Sequence, residues 1–281
     1  MNILEAVILG IIQGITEFLP VSSTGHLTVA GQVMGLISPE NPQHWTAFIA
    51  VIQLGTLVST LIYFRNDIRN ILGDFFRDNL FLRKKYSQQS ENSKMGWLII
   101  VGTIPVSLIG YFFESTIEGA ITKSLYVIAS SLIILALILA LAEKLAKFKK
   151  EMKDITIKDS LVIGIAQCFA LIPGSSRSGT TITGGLFMGL KRETAARFSF
   201  LMGLPAVFAS GMLELFKSLN YLDGTMEVNL IISTFVSGVC GYMAIDFLLK
   251  YLRKNTTFLF IYYRIAAGII ILIFLFTHII H

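Results

Sequence analysis

Charge is what this chain has least of. Its 23 Lys and Arg and 18 Asp and Glu make up 15% of 281 residues, against about 25% in a soluble globular domain. That deficit excludes a water-facing surface of ordinary composition. Cysteine is nearly absent as well. Cys168 and Cys240 both stand in apolar stretches, where a thiol behaves as a small buried hydrophobe, and two such residues build neither a disulfide framework nor a metal site. The first residues, Met1-Asn-Ile-Leu-Glu5, lack a positive n-region and a small-residue cleavage site, so they do not read as a cleaved signal peptide. The net charge of +5 is gathered in particular loops. It reports topology, and no nucleic-acid partner is expected.

What the chain has instead is apolar length. Hydrophobic residues are 54% of the total, mean hydropathy is +0.70, and several runs reach the roughly 20 residues that cross a bilayer. Six spans are expected at about 46–64, 95–113, 123–143, 197–217, 229–249 and 258–279. Two further apolar segments, about 2–36 and 160–190, are broken by Pro20 and Pro173. The loop 65–94 carries seven Lys and Arg, the linker 144–158 carries six Lys, and Lys250, Arg253 and Lys254 end another span. The loops holding Glu114 and Glu118, and Asp223 and Glu227, have almost none. The positive-inside rule places the basic connections in the cytoplasm and the acidic ones outside.

That assignment constrains the path of the chain. Two apolar segments lie between the inside linker at 144–158 and the outside loop near 220–228, yet only an odd number of crossings fits. One of the two must therefore enter and leave by one face. Segment 160–190, with Pro173, Gly174 and Gly179 at its midpoint, is the natural re-entrant hairpin, and 2–36 resembles it. The expected fold is an all-α polytopic membrane protein with six transmembrane helices plus two re-entrant helical hairpins. It forms an inverted-topology repeat, residues 1–150 and 151–281, within a single membrane domain. Irregular backbone at membrane depth is tolerated only where it is buried in protein or lines a polar cavity, and two hairpin tips meeting at a repeat axis would make that cavity.

The broken segments share a motif. The first reads Gly10-Ile-Ile-Gln13-Gly-Ile-Thr-Glu17-Phe-Leu-Pro20-Val-Ser22-Ser23-Thr24-Gly25-His26. Roughly 153 residues later comes Gly164-Ile-Ala-Gln167-Cys-Phe-Ala-Leu-Ile-Pro173-Gly-Ser175-Ser176-Arg177-Ser178-Gly179-Thr180-Thr181. Matching Gln13 with Gln167, Pro20 with Pro173 and Ser22-Ser23 with Ser175-Ser176 requires one residue deleted in the second copy. The copies differ in charge: the first has Glu17 and His26, the second Arg177.

Those differences carry chemistry. Gln13 and Glu17 are four apart and share a helix face. A carboxylate in an apolar hairpin is suited to general-base work. The hydroxyls of Ser22, Ser23 and Thr24 are candidate nucleophiles, which His26 could orient or activate. The second copy offers Arg177, the hydroxyls of Ser175, Ser176, Ser178, Thr180 and Thr181, and backbone N–H groups at a helix start, a combination that favours phosphate. Arg at bilayer depth needs compensation, from Glu17, an anionic substrate, or both. Blander readings stand beside these. Intramembrane Ser and Thr commonly bond back one turn, a lone His near an interface is often structural, and Glu17 with Arg177 could be a structural ion pair. Arg192, Glu193 and Arg197 read as a membrane boundary.

The Gln13-x-x-x-Glu17 element, the run Pro20-Val-Ser-Ser-Thr-Gly-His26 and Pro173-Gly-Ser-Ser-Arg-Ser-Gly179 resemble the undecaprenyl-diphosphate phosphatases of the bacitracin-resistance type, over essentially the whole chain. The resemblance implies hydrolysis of undecaprenyl diphosphate to undecaprenyl phosphate and phosphate, which recycles the lipid carrier of cell-wall synthesis and confers bacitracin resistance. It also implies a bacterial cytoplasmic membrane enzyme whose site opens toward the outer face. Undecaprenyl diphosphate and membrane lipid are the implied partners, and a homo-oligomer stays open. By position, Glu17, Ser23, His26 and Arg177 take catalytic roles, and Gln13, Ser22, Thr24, Ser175, Ser176, Ser178 and Thr181 bind substrate. A divalent cation, Mg²⁺ or Ca²⁺, is implied at Glu17, although Gln13 stands where many members have Glu. The rival reading is a secondary transporter or flippase of polyprenyl phosphate, for which inverted repeats and a mid-membrane charge are also apt.

Overall fold

A computed structural model describes residues 1–38, 42–113, 124–218 and 224–277. Glu114, Glu118 and Asp223, on which the outside assignment rests, lie outside the described residues. Eleven α-helices account for nearly all of what is described: α1 Ile3–Phe18, α2 Ser23–Val33, α3 Pro42–Tyr63, α4 Arg65–Phe76, α5 Glu91–Phe112, α6 Leu125–Leu145, α7 Ile157–Cys168, α8 Arg177–Phe187, α9 Arg192–Ser218, α10 Gly224–Lys254 and α11 Phe258–Phe276. No strand forms among the described residues beyond a lone bridge between Lys150 and Leu190. Six helices, α3, α5, α6, α9, α10 and α11, are long and apolar enough to cross a membrane. They fall on the six expected runs in order. Their outward faces carry half-exposed or exposed Leu137, Phe235 and Phe276, a surface that suits lipid and would be a liability in water.

The basic stretch 65–94 is more ordered than a loop. It holds α4, a π-helical turn at Arg77–Phe81 and a 3₁₀ turn at Tyr86–Gln88. Asp78 organises it. Its buried carboxylate accepts the Ser90 N–H at 2.8 Å and the Lys84 ammonium at 3.0 Å, and the Ser90 N–H above all, then Lys84, holds its pKa well below the ordinary carboxylate range.

Four of the five short helices form two pairs, α1 with α2 and α7 with α8. Each first helix opens on a capping box, Asn2 with Glu5 and Thr156 with Asp159, so the orphan N–H groups at each start are satisfied. The pairs repeat at a constant interval of 154 residues. Asn2 and Thr156 cap the first helices, Ser22 and Ser176 cap the second, and Gly35 and Gly189 follow them with φ of 67° and 83°. This register corrects the motif alignment. No residue is deleted, because the prolines occupy different places in the two turns: Pro20 corresponds to Gly174, whose φ is +84°. Ser22 therefore matches Ser176, and Ser23 matches Arg177.

Each pair leans on the other half of the chain. Gly10 of α1 lies against α10, where an added Cβ would be 2.6 Å from the Ser233 carbonyl oxygen; Gly164 of α7 lies against α5, where a Cβ would be 2.3 Å from that of Gly102. Ser233 donates to the Ala6 carbonyl at 2.9 Å and Ser160 to that of Leu98 at 2.5 Å. Near the basic face, buried Glu143 of α6 accepts from Arg192 and, at 3.0 Å, from Thr257. Arg197 makes a two-pronged bond to Asp67 at 2.7 Å, and Glu193 pairs with Arg253. These pairs tie the start of α9 to α4, α6 and α10. Both cysteines are free and half-buried rather than enclosed, because each lies on a helix side that the neighbouring helices only partly cover.

Candidate active site

Both pairs build their tips by one device. A helix stops at a proline-bearing turn, and the next starts from a serine held at positive φ. Ser22 has φ 78° and ψ 97°, and its Oγ accepts the Gly25 N–H at 3.2 Å. Ser176 has φ 69° and ψ 111°, and its Oγ accepts the Gly179 N–H at 3.1 Å. Such a conformation costs a non-glycine residue about 1–3 kcal/mol and persists where surrounding structure enforces it. It brings the first residue of the second helix, Ser23 in one tip and Arg177 in the other, into equivalent slots.

Glu17 is where the tips meet. Its buried carboxylate accepts from Ser23 Oγ at 2.7 Å and Gln13 Nε2 at 3.0 Å on Oε2, and from Arg177 Nη2 at 3.0 Å on Oε1. A second tie runs beside it, from Ser178 Oγ to the Leu19 carbonyl at 3.0 Å. A buried ion pair is poor evidence of stabilisation, since apolar replacements are often neutral or better. A charge pair whose carboxylate also takes a serine hydroxyl therefore points to chemistry. An ionised carboxylate next to a hydroxyl can remove its proton, and Nε of Arg177 is buried without a protein partner, leaving a donor for an anion.

These groups line a cavity of about 530 Å³. Glu17, Ser22, Ser23, Thr24, Ser175, Ser176 and Arg177 are all on its wall, together with Gln167. The rest of its lining is largely apolar, with Trp45 and Ile49 of α3, Val106 of α5 and Val207 and Leu213 of α9, interrupted by Gln53, Ser107, Ser210 and Glu214. A polar cluster within largely apolar walls fits a lipid with an anionic head.

Four of the expected site residues stand off this wall. Gln13 acts through Glu17. Thr181 donates to the Arg177 carbonyl at 2.7 Å and shares a hydrogen bond with Ser199, and Ser178 is committed to Leu19. Their hydroxyls hold α8 and the tips together. His26 faces the other side of α2. Its Nδ1 lies 2.6 Å from the Ser22 carbonyl, which can only accept, so Nδ1 carries the proton and Nε2 accepts from Tyr263 Oη at 2.6 Å. The imidazole also stacks on the Tyr263 ring. It braces the strained turn that precedes Ser23.

Two buried groups went unflagged in the sequence. Arg264, in the middle of α11, is fully buried, and its Nη2 donates to the Gly174 and Ser175 carbonyls at 3.3 and 2.9 Å. Ser131 donates to the Pro173 carbonyl. The three carbonyls of the second turn are thus held from behind, away from the cavity. The signal was available: a lone arginine in the run Phe258–Phe276 is a functional flag by itself. Gln167 entered the repeat alignment only as a match to Gln13.

Among the described residues, no three His, Cys, Asp or Glu converge on a point. Oxygen donors nevertheless adjoin at Glu17: the carboxylate itself and the Ser23 hydroxyl. All-oxygen donors suit a hard divalent cation, with substrate oxygens completing the shell.

Residues 6–270 match the family model described as bacitracin resistance protein BacA. An undecaprenyl-diphosphatase of Syntrophobacter fumaroxidans is 51% identical over 278 residues, covering 99% of both chains. One from Prosthecochloris aestuarii is 49% identical over 281 residues, covering 97% of this chain and 96% of its own, and one from Chloroherpeton thalassium has the same identity and coverage.

Proposed function

The chain belongs to the bacitracin resistance protein BacA family, and from that premise we propose that its two tips form one phosphatase centre. The protein is an undecaprenyl-diphosphatase: it hydrolyses undecaprenyl diphosphate to undecaprenyl phosphate and inorganic phosphate, an activity consistent with bacitracin resistance. It is a multi-pass membrane protein whose substrate is a membrane lipid.

The observation that carries the mechanism is the Glu17 carboxylate bridging the Ser23 hydroxyl and the Arg177 guanidinium. Arg177, through Nε and its remaining N–H groups, holds the diphosphate, with Ser175 and the N–H groups at the start of α8 beside it. Glu17 Oε2 takes the Ser23 proton as Oγ attacks the terminal phosphorus. The bond from that phosphorus to the bridging oxygen breaks, and the lipid monophosphate leaves with the bond's electron pair. Glu17 gives that proton to the departing phosphate. It then takes a proton from the water whose oxygen attacks the phosphoserine phosphorus, and returns it to Ser23 Oγ as the P–Oγ bond breaks, leaving free phosphate and the starting hydroxyl. A divalent cation, Mg²⁺ or Ca²⁺, would be held by Glu17 and would neutralise diphosphate charge.

The same reading gives the site its place in the membrane. The short helix pairs are re-entrant hairpins, and residues 1–150 and 151–281 are inverted repeats, which supports a cavity where the tips meet. The basic segments near α4 and at 144–158 lie in the cytoplasm by charge. The cavity is lined by the start of α3 and the distal ends of α5 and α9, the opposite side from those segments. It opens to the outer face of the cytoplasmic membrane.

Glu17→Gln, Ser23→Ala and Arg177→Ala, purified in detergent, are each expected to lose phosphate release from farnesyl diphosphate by at least ~10²-fold, and chelator is expected to lower the wild-type rate. Near-normal Arg177→Ala would sink the anion site. An active Ser23→Ala would make water the nucleophile. Detergent also separates hydrolysis from carriage by a flippase, because transport needs two compartments and hydrolysis does not.

A further inference from the structure

Gln167 is 1% exposed, and both its Oε1 and its Nε2 are buried without a hydrogen-bond partner. A carboxamide brings two donors and an acceptor with two lone pairs, and leaving them unpaired in the interior is costly where an apolar side chain of similar shape is not. Gln167 nevertheless lines the same cavity as Glu17, Ser23 and Arg177. Two neighbours on that wall share its condition: Ser175 Oγ and Arg177 Nε are buried and unpartnered. Three residues whose donors are buried and unpartnered thus stand on one wall: an amide, a hydroxyl and a guanidinium N–H.

The repeat sharpens the contrast. Gln13, 154 residues before Gln167, donates its Nε2 to Glu17. The position matching Glu17 in the second copy is Leu171, so Gln167 has no carboxylate to hold. The Arg264 and Ser131 bonds occupy carbonyls of the adjoining turn and leave the donors of Gln167, Ser175 and Arg177 unspent. We propose that Gln167 is a substrate-contacting residue. Its Nε2 donates to a phosphoryl oxygen of the diphosphate, beside Arg177 Nε and Ser175 Oγ, and its Oε1 takes a donor from the hydrated head group. This deepens the phosphatase reading and rests on it.

The test separates contact with substrate from support of the fold. Wild type, Gln167→Leu and Gln167→Glu are purified as full chains in detergent and assayed for phosphate release from farnesyl diphosphate. Their Tm is measured with and without inorganic phosphate. Gln167→Leu is expected to lose about 10- to 100-fold in kcat/KM, the worth of one hydrogen bond to a charged group. Its phosphate-free Tm should equal or exceed the wild-type value, because unpaired polar atoms have been removed, and its Tm rise with phosphate should shrink. Gln167→Glu should be slower still, since its carboxylate repels the diphosphate. Wild-type kcat/KM in Gln167→Leu overturns the inference, as does a Tm that falls in step with activity. A wild-type chain that releases no phosphate overturns the phosphatase reading itself, which sets that failure apart.

Discussion

Arg177 can be displaced without touching its charge. Gly203 of α9 lies under its guanidinium: an added Cβ would sit 1.9 Å from Nη1 and 2.9 Å from Cζ. Ordinary contact begins at 3.4 Å, so Gly203→Ala must push the guanidinium by about 1.5 Å, the difference between 3.4 and 1.9 Å. The stability terms oppose each other. Alanine in a helix interior gains about 1 kcal/mol over glycine, and overpacking costs about 1–3 kcal/mol, so the net loss is about 2 kcal/mol at most. Catalysis has no such compensation, because a misplacement of about 1 Å at a reacting group costs up to ~10²-fold. Phosphate release from farnesyl diphosphate, measured beside Tm, should show kcat/KM falling towards 100-fold with Tm little changed. Wild-type kcat/KM would refute the reasoning, since it would mean that the guanidinium's position beside Glu17 is not used.

Arg264→Met would strip the donors from the Gly174 and Ser175 carbonyls, each worth about 1–3 kcal/mol when left unpaired. Tm and activity should fall together and be partly restored in Arg264→Lys, whereas full activity in Arg264→Met would show that the second turn holds itself. Asp78 predicts a pH response on the basic face. Its folded pKa is depressed, so its stabilisation is present above the unfolded value near pH 4 and is lost only as pH falls through the lower folded value. Trp97 reports on this segment through its bond to Asn79 at 3.2 Å. In a Trp45→Phe background its emission should stay constant down to about pH 4, and a transition centred above pH 5 would contradict the account.

How much was legible follows from which forces act locally. The six spans could be read because lipid imposes length and apolarity on every residue of a crossing. Glu17, Ser23 and Arg177 could be read because buried charge and hydroxyls stand out against that background. The repeat's register could not. Pro20 and Pro173 invited an alignment with a gap, while the shared backbone event is the positive φ at Ser22 and Ser176, a conformation that serine does not announce. The partners of Ser178, Thr181 and His26 were equally hidden, because Leu19, Ser199 and Tyr263 are set by tertiary packing. Segment 65–94 looked like a loop for a similar reason: the buried Asp78 that orders it reads in sequence as one more surface charge.

The way α1 is seated has a consequence for how the protein is made. Ala6 and Met1 receive bonds from Ser233 and Asn229 of α10, sequence separations of 227 and 228 residues. At roughly 5–20 residues per second of synthesis, the helix bearing Glu17 leaves the ribosome about 10–45 s before its main neighbour exists. Assembly order therefore departs from birth order: the first segment translated waits for the tenth helix before its berth exists. A nascent chain stalled before α10 would already hold both tips and still lack the wall on which α1 rests, so the support of the site is completed only near the end of translation.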